Sequence, residues 1–469
     1  MSPAGAADTA RSVALDVLRA VEEDDAYANL LLPQRIRRAG LGPQDAAFAT
    51  ELTYGTLRRR GLYDRVVELA ARRPVTAIDP ALLDVLRLGV HQLLSTRVAP
   101  HAAVGETVSL ARRVSGRAGT GFVNGVLRGV SRTRPETWRE RVLEGVTDPD
   151  ERLAVEWSHP AWVVRALRRA LAAEGREDEL VDLLRADDTA PRVSLVALPG
   201  LAEVAELDGG PGSVSPLAAT SSGGDPARSA VVREGRARVQ DEGSQLAALA
   251  LSRVRPVRAG ETWLDVCAGP GGKASLLAAE AAAGGASLVA NEVVPARAGL
   301  VRRSLTALPG AVEVREGDGR DIGAREPGRY DRVLLDAPCT GLGALRRRPE
   351  ARWRKRPSDV GDLTRLQGEL FDSAVAALAP GGVLAYVTCS PHLAETRAVV
   401  EAGVRRHGAT LEVLDAAEVV GRVARPDAEV DLASAPYAQL WPHRHGTDAM
   451  FVALLTKAAD GTSPATDHR

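Results

Sequence analysis

The sequence has few of the residues that build secreted or membrane proteins. Its 469 residues include only three cysteines, three lysines and 3% aromatic residues. Three cysteines cannot form a secreted disulfide framework, and their spacing does not fit a structural zinc site. The N-terminal segment MSPAGAADTARS lacks the apolar stretch of a signal peptide, and no run of about 18 uninterrupted apolar residues follows. We therefore expect no membrane span, no metal site and a reducing, cytoplasmic location.

An excess of charge of one sign is also missing, because the formal net charge is −1. The total hides an uneven distribution. Residues 51–134 carry 14 arginines against six acids, and residues 341–356 carry seven basic residues against one acid. Only such clusters argue for phosphate binding in a chain that is rich in arginine throughout. The second cluster contains Trp353 and predicts a loop that contacts RNA by phosphate attraction and base stacking.

The hydrophobic pattern divides the chain into regions. Residues 9–145 show apolar residues at helical spacing and predict a bundle of six or seven helices. Residues 161–186 are again helical, and residues 209–226, rich in Gly, Ser and Pro, predict a loop inside a small α/β module. The expected domains are a helical bundle at 1–145, a linker module at 146–238, an α/β domain at 239–457 and a disordered tail at 458–469.

Strand and helix patterns alternate from residue 261 onward. The runs TWLDVCAG, SLVANE, VEVREGD, DRVLLDAP and GGVLAYVTCS are short and rich in β-branched residues, and helical segments such as 273–283 and 362–378 lie between them. This alternation is typical of βαβ units and predicts a Rossmann-like α/β domain with a parallel sheet.

A glycine-rich turn after the first of these strands indicates a cofactor site. Glycines let the backbone approach a ligand, and the following helix presents its N-terminus. Acids end the next three strands, and acids at successive strand ends meet at one crevice. Ribose hydroxyls and a cationic sulfonium suit such acids, so S-adenosylmethionine is favoured over a dinucleotide. The candidate cofactor residues are Cys267, Ala268, Gly269, Pro270, Gly271, Gly272, Lys273, Glu292, Asp318 and Asp336.

All three cysteines lie in this last region, at or near strand ends. Cys339 follows a strand in DAPCTG, and Cys389 follows another in TCS. A thiolate that adds to C6 of cytosine makes C5 nucleophilic toward a methyl donor, which is covalent catalysis. Two cysteines and Asp336 supply the groups that this reaction needs, whereas Cys267 by itself reads as a packing residue.

These motifs carry a family resemblance. DVCAGPGGKA, DAPCTGLGALRRRPEARWR and VTCSPHLAET resemble the RNA cytosine-C5 methyltransferases of the Sun or Fmu type, as do VQDEGSQLAA and LWPHRHGTDAMF. Residues 10–133, with GFVNGVLRGV, resemble the all-helical NusB domain. The Glu-Asn-Val motif of DNA cytosine methyltransferases is missing from the sequence, which favours the RNA branch.

The resemblance implies roles for individual residues. Cys389 is the nucleophile toward C6, Cys339 assists product release, and Asp336 contacts the target base beside S-adenosylmethionine. A NusB-like domain ahead of this methyltransferase implies 16S rRNA, or an early small-subunit particle, as partner and cytosine 967 as target. Two alternatives stay open: the same chemistry on tRNA or another rRNA site, and a non-catalytic RNA-binding assembly factor. The oligomeric state and the arginines that contact RNA are also left open.

Overall fold

The computed structural model describes residues 9–308, 312–433 and 436–459. The chain divides into two compact units. The helical unit comprises Met1–Arg165, Leu184–Ala190 and Leu345–Lys355, and the sheet unit comprises Ala166–Leu183, Pro191–Ala344 and Arg356–Arg469. No helix in the described ranges is long and apolar enough to cross a membrane. Residues 460–469 of the predicted tail lie outside the described residues, and the predicted domain boundaries stay predictions.

Eight α-helices fold within the described stretch from Ala10 to Leu143, where the sequence predicts six or seven. They are α1 (Ala10–Glu23), α2 (Ala28–Ala39), α3 (Pro43–Arg58), α4 (Arg60–Ala71), α5 (Pro80–Ser95), α6 (Pro100–Ser115), α7 (Ala118–Ser131) and α8 (Pro135–Leu143). Only Arg59 separates α3 from α4, so the apolar pattern runs across the break and hides it. Helix α9 (Pro149–Glu156) follows, and α10 (Ala161–Ala172) and α11 (Leu180–Asp187) carry residues of both units.

The core of the helical unit forms around α5. Its residues from Leu82 to Gln92 are buried on all sides, and α1, α3, α4, α6 and α7 pack around them. Its Arg87 is buried too, and the guanidinium donates to the carboxylates of Asp64, at 2.6 Å, and Asp84, at 2.9 Å. Part of the positive charge in residues 51–134 is therefore neutralised inside the bundle.

The basic segment 345–355 also belongs to the helical unit, and its packing corrects part of the prediction that this loop contacts RNA. Arg352, on the short helix α17 (Ala351–Arg354), is fully buried. It donates to the carbonyl oxygens of Arg58 and Asp187, both at 2.8 Å, and to the Asp188 carboxylate at 2.9 Å. The Trp353 ring packs directly against the backbone of α4. The expected RNA contact is wrong for Arg352, because its donors are used within the protein, and the Trp353 ring is engaged in packing.

We expect Arg352→Leu to destabilise the helical unit by about 3–5 kcal/mol, because the substitution leaves the buried Asp188 carboxylate without this partner. Urea denaturation measures the change, with the exposed Arg348→Leu on the same segment as the control. A loss as small as that of the control would mean that the Arg352 hydrogen bonds contribute little to stability.

A small antiparallel sheet opens the sheet unit, with strand order β2-β3-β1-β4. Its strands are β1 (Ser194–Ala197), β2 (Gly209–Pro211), β3 (Ala218–Ser221) and β4 (Ala237–Val239). The prediction of a loop at 209–226 is therefore wrong in part, since β2 and β3 lie within it. Backbone pairing forms these strands without an apolar pattern, and the buried Glu242 carboxylate accepts from the amides of Val214 and Ser215, at 2.7 and 2.9 Å. The apolar run 230–232 lies in a helix.

The large sheet has the order β10-β12-β9-β8-β5-β6-β7, with β11 paired to β12. Its strands are β5 (Thr262–Asp265), β6 (Ser287–Glu292), β7 (Val312–Glu316), β8 (Tyr330–Asp336), β9 (Leu378–Thr388), β10 (Leu411–Leu414), β11 (Ala438–Gln439) and β12 (Phe451–Lys457). The helices of the unit are α12 (Ala230–Arg233), α13 (Glu242–Ser252), α14 (Gly272–Ala283), α15 (Pro295–Ser304), α16 (Ile322–Arg325), α18 (Pro357–Ala377), α19 (Arg397–His407), α20 (Ala416–Val423) and α21 (Pro442–His445).

The five strands predicted from residue 261 onward are confirmed as β5 to β9, and they run parallel. Beyond these five strands, β12 pairs antiparallel to β9 and β10, so the complete sheet is mixed. From β5 the chain adds β6 and β7 on one side, and then β8 and β9 on the other. The strand order therefore reverses between β5 and β8, and ligands bind at such a switch point, beyond the carboxyl ends of the strands.

Candidate active site

The glycine-rich turn 267–273 joins β5 to α14 at the switch point. Gly271 has a φ of +107°, and a Cβ there would lie 2.1 Å from the Ser304 hydroxyl. A Cβ on Gly269 would lie 2.2 Å from the Glu292 carboxylate. Both positions require glycine, for the conformation in one case and for the close approach in both. The backbone of the turn lies next to the N-terminus of α14, and we call these two parts together the cradle. Backbone amides at such a helix end can bind a ligand.

The acids predicted at the ends of β6 and β7 have different surroundings. Glu292 is buried, and its carboxylate accepts from the amides of Gly269 at 3.0 Å and Val294 at 2.9 Å. The bond from the Gly269 amide connects the end of β6 directly to the glycine-rich turn. Asp318 is about one-third exposed, and hydrogen bonds from Arg320 lower the pKa of its carboxyl. The structure brings Glu292 to the cradle, whereas the partner of Asp318 is a neighbouring arginine.

Lys273 and Asp336 form an ion pair across the switch point. The Lys273 ammonium, at the start of α14, donates to the Asp336 carboxylate, at the end of β8, over 2.9 Å. Burial opposes the charge on Lys273, but the charge of Asp336 outweighs it and raises the pKa of the ammonium. The Lys273 ammonium therefore keeps its proton, and its bond to Asp336 joins the glycine-rich turn to the end of β8.

Two further residues of this site escaped the sequence prediction. Asp265, the last residue of β5, is fully buried, and its Oδ2 has no hydrogen-bond partner within the described ranges. Burial, helped by the charge of Asp336, raises the pKa of Asp265 to about 8. Gln240 is also buried, and neither polar atom of its amide is bonded to any described residue. Both residues stand in motifs that the sequence singled out, and such unpaired buried groups suit a polar ligand.

Cys339 and Cys389 lie together beyond the ends of β8 and β9. Their sulfur atoms are 3.5 Å apart, although 50 residues separate them in the sequence. The neighbouring Cys389 thiol and burial both raise the pKa of Cys339 well above its ordinary value. Cys267 is a free, half-buried thiol that packs against the apolar core, and burial raises its pKa. The structure thus pairs two of the three cysteines and separates the third by its packing role.

The residue after each paired cysteine is also part of the site. The Thr340 amide donates to the buried carboxylate of Glu395 at 2.7 Å, and the Ser390 hydroxyl donates to it at 2.6 Å. Residue Glu395 stands in VTCSPHLAET, six residues after Cys389, and nothing in that spacing assigns it a role.

The comparisons with known proteins agree with this fold. A model of the family 16S rRNA methyltransferase RsmB/F matches residues 254–456, and a model of the NusB family matches residues 8–132. Rv1407 of Mycobacterium tuberculosis is 50% identical over 457 residues, which is 96% of this chain and 97% of that protein. Ribosomal RNA small subunit methyltransferase B of Erwinia tasmaniensis is 31% identical over 459 residues, with coverage of 95% and 98%.

Solved structures support the fold. The crystal structure of PH0851 has a TM-score of 0.79 at 22% identity and covers 96% of this chain and 98% of that chain. A methyltransferase homologue from Pyrococcus horikoshii has a TM-score of 0.53 at 19% identity, with coverage of 66% and 100%.

The fold and site together define a methyltransferase whose Rossmann-like α/β domain follows an N-terminal helical domain. The chain belongs to the RsmB/F family of 16S rRNA methyltransferases and carries a NusB-family domain. The family resemblance and the fold class predicted from the sequence are thereby confirmed.

The substitution Asp265→Asn is expected to remove a pH dependence of stability. The folded protein keeps a proton on Asp265 up to about pH 8, whereas the unfolded chain loses it near pH 4. Folding takes up this proton, so the stability of the wild type falls as the pH rises between these values. The variant should gain on the wild type by up to about 1.4 kcal/mol per pH unit.

Urea denaturation between about pH 5 and about pH 8 measures this gain. The matched control is Asp362→Asn at a carboxylate that is 82% exposed. A difference between Asp265→Asn and wild type that stays constant with pH would show that Asp265 ionises normally.

Proposed function

We propose that this protein is an S-adenosylmethionine-dependent RNA cytosine-C5 methyltransferase that acts on 16S rRNA, with cytosine 967 as the target. The pair of thiols 3.5 Å apart at the switch point carries the proposal. One thiol suffices to activate a cytosine ring by addition, and a second beside it suits a reaction in which the first bond must later be broken. The Lys273–Asp336 ion pair lies close enough for its charges to act on both cysteines.

The residues of the glycine turn fit S-adenosylmethionine. At Gly269 and Gly271 the neighbouring side chains leave no space for a Cβ atom, so the turn presents its backbone. Beside it, the Oδ2 of Asp265 and the side-chain amide of Gln240 have no partner among the described residues and can bind a polar ligand. Glu292 retains acceptor capacity for ribose hydroxyls, since each of its oxygens has a second lone pair. When bound, S-adenosylmethionine supplies a methyl group as an electrophile. The remaining chemistry falls to the side chains of this chain.

Covalent activation begins at Cys389. Its thiolate forms a bond to C6 of the cytosine, and the electron pair of the C5–C6 double bond moves to C5, which becomes nucleophilic. After C5 is methylated, a base takes up the C5 proton, and the electron pair of the C5–H bond stays with the ring. That pair re-forms the double bond and expels the Cys389 thiolate.

The surroundings of the two thiols support this division of roles. The raised pKa of Cys339 keeps this residue protonated, so its S–H can donate to Cys389 and stabilise the thiolate there. Cys339 is thus placed to assist release of the product, and Cys389 to attack. The target cytosine must be unpaired or flipped out of a helix to reach either sulfur.

Exposed arginines on and beside α6 and α7 support an RNA partner. Arg87 is held in buried ion pairs and Arg58 lies buried, whereas nine other arginines of residues 51–134 are exposed. Phosphate attraction needs such exposed charge. Six of the nine lie on α6 or α7 or within three residues of their ends, and we call them the α6–α7 arginines: Arg112, Arg113, Arg117, Arg128, Arg132 and Arg134. An rRNA substrate and three free thiols are consistent with a reducing cytoplasm.

We expect Cys389→Ala to abolish methyl transfer, because the variant cannot form the bond to C6, while S-adenosylmethionine binding stays within twofold of wild type. Bisulfite sequencing of 16S rRNA from a deletion strain complemented with each form locates the methylated cytosine, and calorimetry measures cofactor binding. Asp362→Asn, at a carboxylate that is 82% exposed and outside the site, is the control and should keep activity.

Methylation by Cys389→Ala would show that another group is the nucleophile. A 16S rRNA pattern that does not change on deletion would remove this substrate, and tRNA would be tested next. Full 16S methylation in the deletion strain together with RNA binding by the protein would favour the non-catalytic assembly factor.

The substitution Cys339→Ala should trap a covalent complex between protein and RNA, because addition by Cys389 proceeds while release is slowed. A denaturing gel with labelled RNA detects the complex as a slowly migrating band. The double variant Cys339→Ala, Cys389→Ala should give no band. Free protein alone with the single variant would exclude a role of Cys339 in release.

A further inference from the structure

The carboxylate of Glu395 has no role in the chemistry above, yet it binds the residues that follow both paired cysteines. The residue is fully buried. Its carboxylate accepts from the Thr340 amide at 2.7 Å, from the Thr340 hydroxyl at 2.5 Å and from the Ser390 hydroxyl at 2.6 Å. All three donors are neutral, so hydrogen bonds alone compensate the burial of this carboxylate.

The donors are the residues that directly follow the two paired cysteines. Thr340 follows Cys339, and Ser390 follows Cys389, so a single side chain binds both cysteine turns. The hydroxyls of Thr340 and Ser390 also lie 3.1 Å apart, which closes a triangle with the carboxylate. The network therefore links two turns that are distant in sequence at the point where their thiols meet.

The backbone of Glu395 is fixed independently of its side chain. The Tyr386 hydroxyl, on β9, donates to the Glu395 carbonyl at 2.7 Å, and the Glu395 amide donates to the His392 carbonyl at 2.9 Å. The Gln367 amide of α18 reaches the same carboxylate at 3.5 Å and donates to the Pro338 carbonyl at 2.8 Å. The carboxylate is therefore held in place before it binds either turn.

The two turns also touch directly. The Gly343 amide donates to the Cys389 carbonyl at 2.9 Å, and a Cβ on Gly343 would lie 2.8 Å from that oxygen. This contact fixes the backbone of the turns on one side, and the Glu395 network fixes them on the other. Removing the network leaves the turns paired but free to rotate, which changes the separation of the sulfurs.

We propose that Glu395 is a positioning residue that holds the sulfurs of Cys339 and Cys389 within reach of each other. The proposal rests on the proposed function, because the closeness of the thiols matters for catalysis only if one attacks and the other assists release. Glu395 is fully buried, and its carboxylate binds Thr340 and Ser390 behind the two cysteine turns. Its effect passes through Thr340 and Ser390 to the two turns.

Diamide oxidation of the full-length, ligand-free protein tests the geometry without any methyl transfer. The two thiols lose two protons and two electrons to form a disulfide, and diamide takes them up to become a hydrazine. Mass spectrometry of peptides identifies the Cys339–Cys389 link and separates it from links to Cys267. We expect Glu395→Ala to slow formation of this link at least tenfold.

The isosteric Glu395→Gln keeps one acceptor for the Thr340 amide and should slow the link less than Glu395→Ala. The control is Glu401→Ala, at an exposed carboxylate on α19, which should cross-link at the wild-type rate. Circular dichroism and thermal unfolding check that each variant is folded. If a Glu395 variant does not fold, Ser390→Ala removes one arm of the network and should also slow the link.

Kinetics on RNA provide the second measurement. We expect Glu395→Ala to lower kcat at least tenfold while the KM for RNA and the affinity for S-adenosylmethionine stay within twofold, with a covalent RNA complex accumulating. Cross-linking at the wild-type rate in folded variants would overturn the proposal. If wild-type protein transfers no methyl group, the proposed function fails, and the cross-linking rates still decide whether Glu395 sets the geometry.

Discussion

The parallel pairing of β8 with β9 is the constraint on which the site depends. In this register Asp336 lies opposite Val387, and both strands point the same way. Cys339 follows Asp336 by three residues and Cys389 follows Val387 by two, so both turns leave the sheet at the same edge. An antiparallel pairing would send the two turns to opposite edges. The ladder thus brings the two turns together, and the contacts between and behind them then set the separation of the sulfurs.

The site concentrates four acids, three buried and Asp336 partly exposed, and each acid is compensated in a different way. Asp336 has a lysine partner, Glu292 accepts from backbone amides, and Glu395 accepts from hydroxyls and an amide. Asp265 has no such compensation for one of its oxygens and holds a proton instead. Because burying a charge without compensation is costly, the uncompensated group is the one that a ligand can stabilise most. Asp265, the least compensated of the four acids, therefore lies in the site proposed for the cofactor.

The elements that the sequence predicted are those with a clear pattern of apolar and β-branched side chains. Strands β5, β6, β8 and β9 are largely buried apolar runs, and the candidate site residues stand at or just beyond their ends, so both could be inferred. Strands β2 (GGP) and β3 (AATS) could not, because backbone hydrogen bonds form them without a run of large apolar residues. The role of Glu395 was equally hidden, since an acid looks the same in a sequence whether it faces solvent or binds two turns. Asp265 and Gln240 were inside recognised motifs, yet only their burial shows that they lack partners.

The basic clusters show why the charge of a segment differs from the charge of a surface. Arginine was rightly counted only in clusters, but the cluster at 341–356 includes Arg352, whose charge is spent on carbonyls and Asp188 inside the helical unit. The planar guanidinium makes this possible, because several donors on one group can satisfy several acceptors at once. In the cluster at 51–134, Arg87 is used in the same way, while the α6–α7 arginines stay exposed. Only the arginines that are exposed in the folded protein can attract RNA, and the sequence does not show which arginines are buried.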